Sequence, residues 1–553
     1  MVSIREIQGD SLNSPYAGQP VVTRGVVTGI VRKGFFIQTP NKEWDGKGSD
    51  AIFVYSPDYT TTVGADVEVS GTCVDFLKDD DAKPVTQIHL ESLKVNRLSG
   101  EKITPIEFTS ELLKVTNLTL SLTLNSMEGM LMTIKSGSTF IAPSNAYGDY
   151  VLALPEQLQE ADVITTDDGG VIVEGSNPLR WFPGFRVTRY DFARRVNLGS
   201  TLRTSVTGPL NYRVGAYQMA VSQDFEFDQN YVDITKSNLV PESDSITVMT
   251  LNCFNLDPHV ESEKSVTNPR QDVDDDWGEG RFHTLAQAVA LQANVPDIVA
   301  LQEIQDNDGA ELTEITAANE TYELLIKTIE QLSGVEYHWV DVNPELGMDG
   351  GQPGGNIRNG FLYNPNRIEL LAHSTRVLGK DNASYEDSRK PLVCEFIEKG
   401  TDNHLTIINV HLASKRHQSS IFSPSNPGVD GKLSVRTEQA RVILEETIRI
   451  GQRGQDYYVT GDFNDGENSE PLRILVGESS HNLVFDLDPQ ERYDYNHRGK
   501  LQVLMHGVVS KEMHVKDRAE YEIIHGNELI GIEPGTETDK PSDHAYVIAK
   551  ISF

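Results

Sequence analysis

In the run Tyr457-Tyr458-Val459-Thr460-Gly461-Asp462-Phe463-Asn464-Asp465 an apolar stretch gives way to glycine, then to a carboxylate, an aromatic and a carboxamide. A carboxylate and an amide at i and i+2, just past a buried strand, leave the same side of the turn. Asp462 can then orient or deprotonate a water while Asn464 steadies an oxyanion. Gly, Asp and Asn also close ordinary Asx-type turns. The case for chemistry therefore rests on what else is placed to meet this turn.

Five further stretches carry polar residues at strand ends that a plain core does not require. Val248-Met249-Thr250-Leu251-Asn252 ends in an amide and Ala300-Leu301-Gln302-Glu303 in a carboxylate. Ser388-Arg389-Lys390-Pro391-Leu392 sets two cations ahead of a strand. Asn409-Val410-His411 ends in an imidazole, with Lys415 beyond it, and Pro541-Ser542-Asp543-His544-Ala545 opens a strand with a carboxylate and an imidazole. Taken singly, Glu303 reads as a loop acid, His411 as a satisfied core histidine and Asp543 as a cap. Taken together and in this order, they call for one site.

The elements that position them alternate. Apolar periodicity predicts strands over 246–251, 298–301, 357–363, 391–397, 404–411, 455–460, 501–509 and 544–551, and helices over 281–294, 311–332 and 434–450. This is an α/β region, residues 245–553, with its polar residues at strand ends, where such folds hold their chemistry. Ahead of it the pattern is all-β. Short alternating strands with glycine punctuation over 1–98 suggest a small barrel or sandwich. In it Phe35, Phe36, Phe53 and Tyr55 read as core first and as base-stacking rings second. A second β-rich region spans 101–222, with strand signals at 127–134, 149–154 and 208–212, and 223–244 reads as a linker.

At 553 residues the chain is too long for one core. Its formal charge of −34 argues against a general polyanion-binding surface and suits a salty exterior. A phosphate polymer would need its repulsion offset locally by metal ions and a few placed cations. Cys73, Cys253 and Cys394 show neither disulfide nor zinc spacing. No apolar run reaches the roughly 20 residues of a membrane span. The opening Met-Val-Ser-Ile-Arg-Glu has no apolar signal core, so a secretion signal is absent or already removed. The acidic run Asp272-Val273-Asp274-Asp275-Asp276 lacks Ca²⁺-loop spacing and reads as solvated.

The six stretches, in this order, resemble the endonuclease/exonuclease/phosphatase superfamily. With two β-rich regions in front, the chain is similar to secreted bacterial extracellular nucleases with an OB-fold-like N-terminal region. The resemblance implies OB-like β modules followed by a four-layer α/β sandwich of the deoxyribonuclease type. It also implies Glu303, Asn252 and Asp543 around Mg²⁺ (Mn²⁺ or Ca²⁺ as substitutes), Asp462 aligning water and Asn464 stabilising the phosphorane oxygens. His411 and His544 act on water and leaving group, and Arg389 grips phosphate, with Lys415, Lys390 and Arg358 as further phosphate contacts. The implied protein is a secreted, extracellular or periplasmic, monomeric, metal-dependent phosphodiesterase degrading DNA, with RNA as the second candidate substrate. A lipid-headgroup phosphodiesterase or phosphatase on the same fold is the rival enzyme.

One position departs from the pattern. In Leu501-Gln502-Val503-Leu504-Met505-His506, Met505 stands where the family carries the aspartate that orients the last histidine. A thioether cannot accept that hydrogen bond strongly. Either catalysis is impaired, leaving a binding protein with a degraded site, or a substitute acid such as Asp494 serves.

Overall fold

Alternating apolar residues make strands of the first hundred positions, and the strands close on themselves. The computed structural model describes residues 1–40, 43–78, 83–114, 117–173, 180–416, 418–422, 430–535 and 540–553. In it β1 (Pro20–Val31), β2 (Gly34–Gln38), β3 (Ala51–Tyr55), β4 (Asp66–Phe76) and β5 (Val85–Arg97) form a closed barrel in the order β1-β2-β3-β5-β4. Phe35 is buried in the barrel core, and Phe36, buried on the opposite face of β2, packs on Phe53 with centroids 5.0 Å apart.

The following region is a nine-stranded mixed sheet lying between residues 106 and 228. The expected strand over 127–134 shortens to Leu131–Ile134, because a helix over Asn117–Asn125 runs out through a turn at Gly129. The expected linker is tied down along its length. Phe225 enters the core of the nine-stranded sheet, Phe227–Asp228 pairs with Thr201–Leu202, and Ser237 and Asn238 bond the Glu522 carboxylate.

Beyond it stand two sheets whose strands read as continuous apolar runs because both faces are covered. The first holds β6 (Ser245–Leu256), β7 (Ile298–Ile304), β8 (His338–Asp341), β9 (Arg358–Tyr363), β18 (Ala519–Ile524) and β19 (Tyr546–Ser552), in the order β8-β9-β7-β6-β19-β18. The second holds β10 (Ile368–Leu370), β11 (Leu392–Glu398), β12 (His404–His411), β13 (Tyr457–Asp462), β14 (Ser480–Asn482) and β17 (Met505–Ser510), in the order β10-β11-β12-β13-β17-β14; a short strand, Arg376–Val377, pairs beside β11. One apolar core, including Val248, Ala300, Ile407, Tyr458, Met505 and Val547, lies between the two sheets. Helix α1 (Arg281–Gln287) and α2 (Asn319–Ser333) cover the first sheet; α3 (Leu433–Gln452) and α4 (Glu470–Val476) cover the second.

Four expectations change here. The helix over 311–332 begins only at Asn319, and the one over 281–294 ends in a wide π turn at Ala288–Gln292. The strand over 501–509 is broken at Val503-Leu504. Its first part, β16 (Lys500–Gln502), pairs instead with β15 (Tyr495–His497), a hairpin the periodicity did not show. The acidic run is not a solvated loop either. Asp272 accepts from the Asn268 amide, and buried Asp276 pairs with the buried Arg281 guanidinium.

Polar pins fix the two sheets against each other. Asn409 on β12 donates to the Leu301 and Gly360 carbonyls (both 2.9 Å) and accepts from Gln302 at 2.7 Å. Thr250 and Thr460 share a 2.6 Å hydroxyl contact. A buried amide with its hydrogen bonds met this fully permits one sheet register and penalises others.

Candidate active site

The register does the gathering. His411 on β12 lies directly beside Asp462 on parallel β13, and Asp462 directly beside Met505 on antiparallel β17. In the other sheet Asn252 pairs with Gln302, so Glu303 follows at the same end. There the backbone leaves strand geometry: Phe254, Asn255, Glu303 and Asn464 all take positive φ, between 52° and 58°. Non-glycine residues hold that conformation only where the surroundings enforce it.

Asn252 Nδ2 donates to Glu303 Oε1 at 3.2 Å, while its Oδ1 accepts from the Phe254 amide. His411 Nε2 lies 3.6 Å from both Glu303 Oε1 and Asp462 Oδ2. Asn464 is clamped to the same carboxylate: its backbone N–H meets Asp462 Oδ1 at 2.8 Å, and its Nδ2 contacts Asp462 Oδ2 (3.3 Å) and the Leu412 carbonyl (3.1 Å). His544 Nε2 is 3.7 Å from Asp462 Oδ2 and 3.9 Å from Asp543 Oδ1. Arg389 donates through Nη2 to the Leu412 carbonyl at 2.9 Å, and its charge bears on Glu303 and Asp462. Asn252, Glu303, Arg389, His411, Asp462, Asn464, Asp543 and His544 therefore converge.

Two expected phosphate contacts do not join them. Arg358 is buried, its guanidinium consumed by the Asn356 carbonyl, Asn343 and Asp341, so it braces β9 rather than facing a ligand. Lys390 is turned to the Met348 carbonyl and Asp349. Lys415 stays at the rim, 3.1 Å from Asp465 Oδ1 and partly exposed.

Met505 is buried in the inter-sheet core, and the substitute acid is present. Asp494 is fully buried; its Oδ1 accepts from His544 Nδ1 at 2.8 Å. Its Oδ2 accepts the Leu504 and Met505 amides at 2.7 and 2.9 Å. The carboxylate is thus delivered from the bend just before the hairpin to the backbone of the position where it was expected. Tyr495, next in sequence, stacks on the His544 ring with centroids 4.9 Å apart. Tyr495 was not among the expected site residues; it opens β15 directly after Asp494.

Electrostatics split the two imidazoles. Burial, with the charges of Arg389 and His544, drives His411 well below its ordinary value, so its ring is neutral. Burial opposes the charge on His544, but Asp543, Asp494 and Asp462 together overcome it and push its value up to about 10. Burial and then Asp543 raise Glu303 to about 7, and burial raises Asp462. Glu303, His411 and Asp462 each offer one donor atom within 4.8 Å of the others. The buried Asp543 Oδ1, His411 Nδ1 and Arg389 Nε have no hydrogen-bond partner among the described residues. Hard oxygens crowded until one carboxylate resists ionising fit a divalent cation of the Mg²⁺ class.

The endonuclease/exonuclease/phosphatase family model matches residues 249–518, the span that contains both sheets' site strands except the last.

Residues 249–518 belong to the endonuclease/exonuclease/phosphatase family.

Members of this family are metal-dependent phosphodiesterases and nucleases. Residues 123–230, which hold all but the first strand of the nine-stranded sheet, match a domain of unknown function, DUF8508. Similar solved structures include humanized TDP2 of D. rerio (15% identity, 56% of this chain and 100% of that one, TM-score 0.35). The catalytic domain of human nocturnin with a bound sulfate (15%, 56% and 95%, 0.36) is another. A third is an endonuclease/exonuclease/phosphatase protein of Bacteroides vulgatus (16%, 56% and 99%, 0.35). No curated protein matches the chain in sequence. No helix among the described residues is long and apolar enough to cross a membrane.

Proposed function

We propose that this protein is a secreted, divalent-metal-dependent nuclease of low sequence specificity, hydrolysing DNA, with RNA as the second candidate substrate, as a monomer. The observation that carries the reading is the meeting of Glu303, His411 and Asp462 with a His544–Asp494 pair in one buried cluster. In this reading the barrel is an OB-like module and the two sheets with their helices are a four-layer sandwich.

Glu303, Asn252 and Asp543 would hold Mg²⁺. When bound, the ion neutralises charge on phosphate oxygens and makes a water more acidic. Asp462, fixed through Asn464 and flanked by both imidazoles, orients the attacking water and draws its proton. His544, kept protonated by its three carboxylates, offers Nε2–H to a phosphate oxygen, while Asp494 holds the ring by Nδ1–H. Neutral His411 is left to hydrogen-bond water or substrate. The two imidazoles, pushed to opposite protonation states, thus serve different roles at one pH: His544 donates and His411 accepts. Asn464 and Arg389 add donors for the charge that develops on the equatorial oxygens. Asp494 also supports the reading of a working site over a degraded one.

Purified protein incubated with double-stranded DNA, single-stranded DNA, RNA and small phosphodiesters, with and without chelator, tests this. Metal-dependent cleavage of polynucleotides is expected. Inertness toward all of them, with release of phosphocholine from a lipid headgroup, would move the assignment to the rival enzyme.

A further inference from the structure

Away from the catalytic cluster, a second group of ligating side chains sits at the edge of the second sheet. His481 lies on β14, Asp486 ends the 3₁₀ turn that follows, and His514 lies on α5 (Lys511–Val515). Each offers one ligand atom, and the three atoms fall within 4.8 Å of one another. The rings of His481 and His514 stack in near parallel, centroids 3.5 Å apart and planes 10° apart. Both face one carboxylate: His481 Nε2 is 2.9 Å from Asp486 Oδ1, and His514 Nδ1 is 3.5 Å from Asp486 Oδ2.

An ion pair accounts for half of this. One imidazole N–H satisfies Asp486 at 2.9 Å. It does not explain a second imidazole stacked on the first and held at 3.5 Å from the other oxygen, beyond a good hydrogen bond. Two imidazole nitrogens and a carboxylate converging from three elements are the borderline-soft donor set that divalent transition ions select.

We propose that His481, Asp486 and His514 bind a divalent transition-metal ion of the Zn²⁺ class. The ion ties α5 and the turn after β14 to the sheet edge. Side chains 24%, 41% and 35% exposed give it direct access from solvent and leave its remaining positions to water. The site is separate from the catalytic one. His481 pairs with Val509, whereas Asp462 pairs with Met505, four residues earlier on β17, or about 13 Å along the strand. β14 is the last strand of its sheet, and edge strands are where an added clip does most to prevent opening or pairing with other chains.

The test uses the full chain, stripped with chelator and then dialysed against Zn²⁺. Bound metal is counted for wild type, His514→Ala, Asp486→Asn and Glu303→Gln. His514→Ala and Asp486→Asn should each bind one equivalent fewer, or bind it at least about tenfold more weakly. Glu303→Gln should keep that equivalent, and Zn²⁺ should raise the thermal midpoint of wild type more than that of His514→Ala. Equal stoichiometry and equal midpoint shifts in wild type and both edge variants would overturn the proposal and leave an ordinary His–Asp ion pair.

Discussion

Met505 is buried among apolar side chains, and only its backbone faces the carboxylate that the resemblance expected at its side chain. Asp494 reaches the same spot from eleven positions earlier and takes the His544 proton as its partner. Asp494→Asn should therefore lower kcat by about 10²–10⁴ while substrate binding changes little; the upper figure is the loss seen for the equivalent change in a serine protease. Met505→Asp should not raise turnover. It places a second carboxylate in the core beside Asp494 and should cost about 3–5 kcal/mol of stability, read from denaturant unfolding. Glu303 supplies a pH prediction. Its folded value of about 7 exceeds the ordinary 4.5, so the native state holds more protons than the unfolded chain between those values. Stability of chelator-treated protein should then fall as pH rises from 4.5 to 7, by up to about 1.4 kcal/mol per pH unit, and Glu303→Gln should flatten that slope. An unaltered slope in the variant would refute the assignment.

At the scale of elements, Gly461 shows how tightly the site strand is built. It sits at φ 139°, and a Cβ there would lie 1.9 Å from the Val410 carbonyl oxygen on β12. Gly461→Ala should spread β12 from β13, pull His411 away from Asp462, and reduce activity more than stability alone explains, measured as kcat at a temperature where the variant is fully folded. Periodicity exposed most of this frame, since β6, β7, β12, β13 and β19 are long apolar runs with a polar terminus. The β15–β16 hairpin was hidden because Tyr495-Asn496-His497-Arg498-Gly499-Lys500-Leu501-Gln502 alternates weakly. Its two-residue turn, Arg498-Gly499, needs positive φ at both positions, and only the glycine signals it. Arg358 was misread for a different reason. A cation's type is visible in sequence, but its consumption by Asn356, Asn343 and Asp341 depends on tertiary contacts.

Across the whole molecule, the nine-stranded sheet is docked on the hairpin that carries Tyr495. Leu198 from that region packs with Tyr493, Leu501 and Leu529, and Asn496 donates to the Ile141 carbonyl at 2.9 Å. Phe422, from the loop after β12, is buried between Trp181, Tyr212 and Tyr217 of the same region. Leu501→Ala should cost about 2–5 kcal/mol and, by loosening the hairpin next to Asp494 and Tyr495, lower kcat as well. Full activity with reduced stability would show that the docking only adds to the core. The convergence itself, across two sheets and from segments more than two hundred residues apart, was legible as a set of strand ends. Which of those ends also leaned on the second region was not.

The central claim is that one hard cation and this cluster split a phosphodiester together. Single-turnover cleavage of duplex DNA, followed over a Mg²⁺ titration for wild type and Glu303→Gln, tests it most directly. Wild type should cleave with saturable dependence on Mg²⁺ and stop on chelation, and Glu303→Gln should need far more ion and cleave at least about 10²-fold more slowly. Equal rates in the two proteins, or cleavage indifferent to chelator, would contradict it.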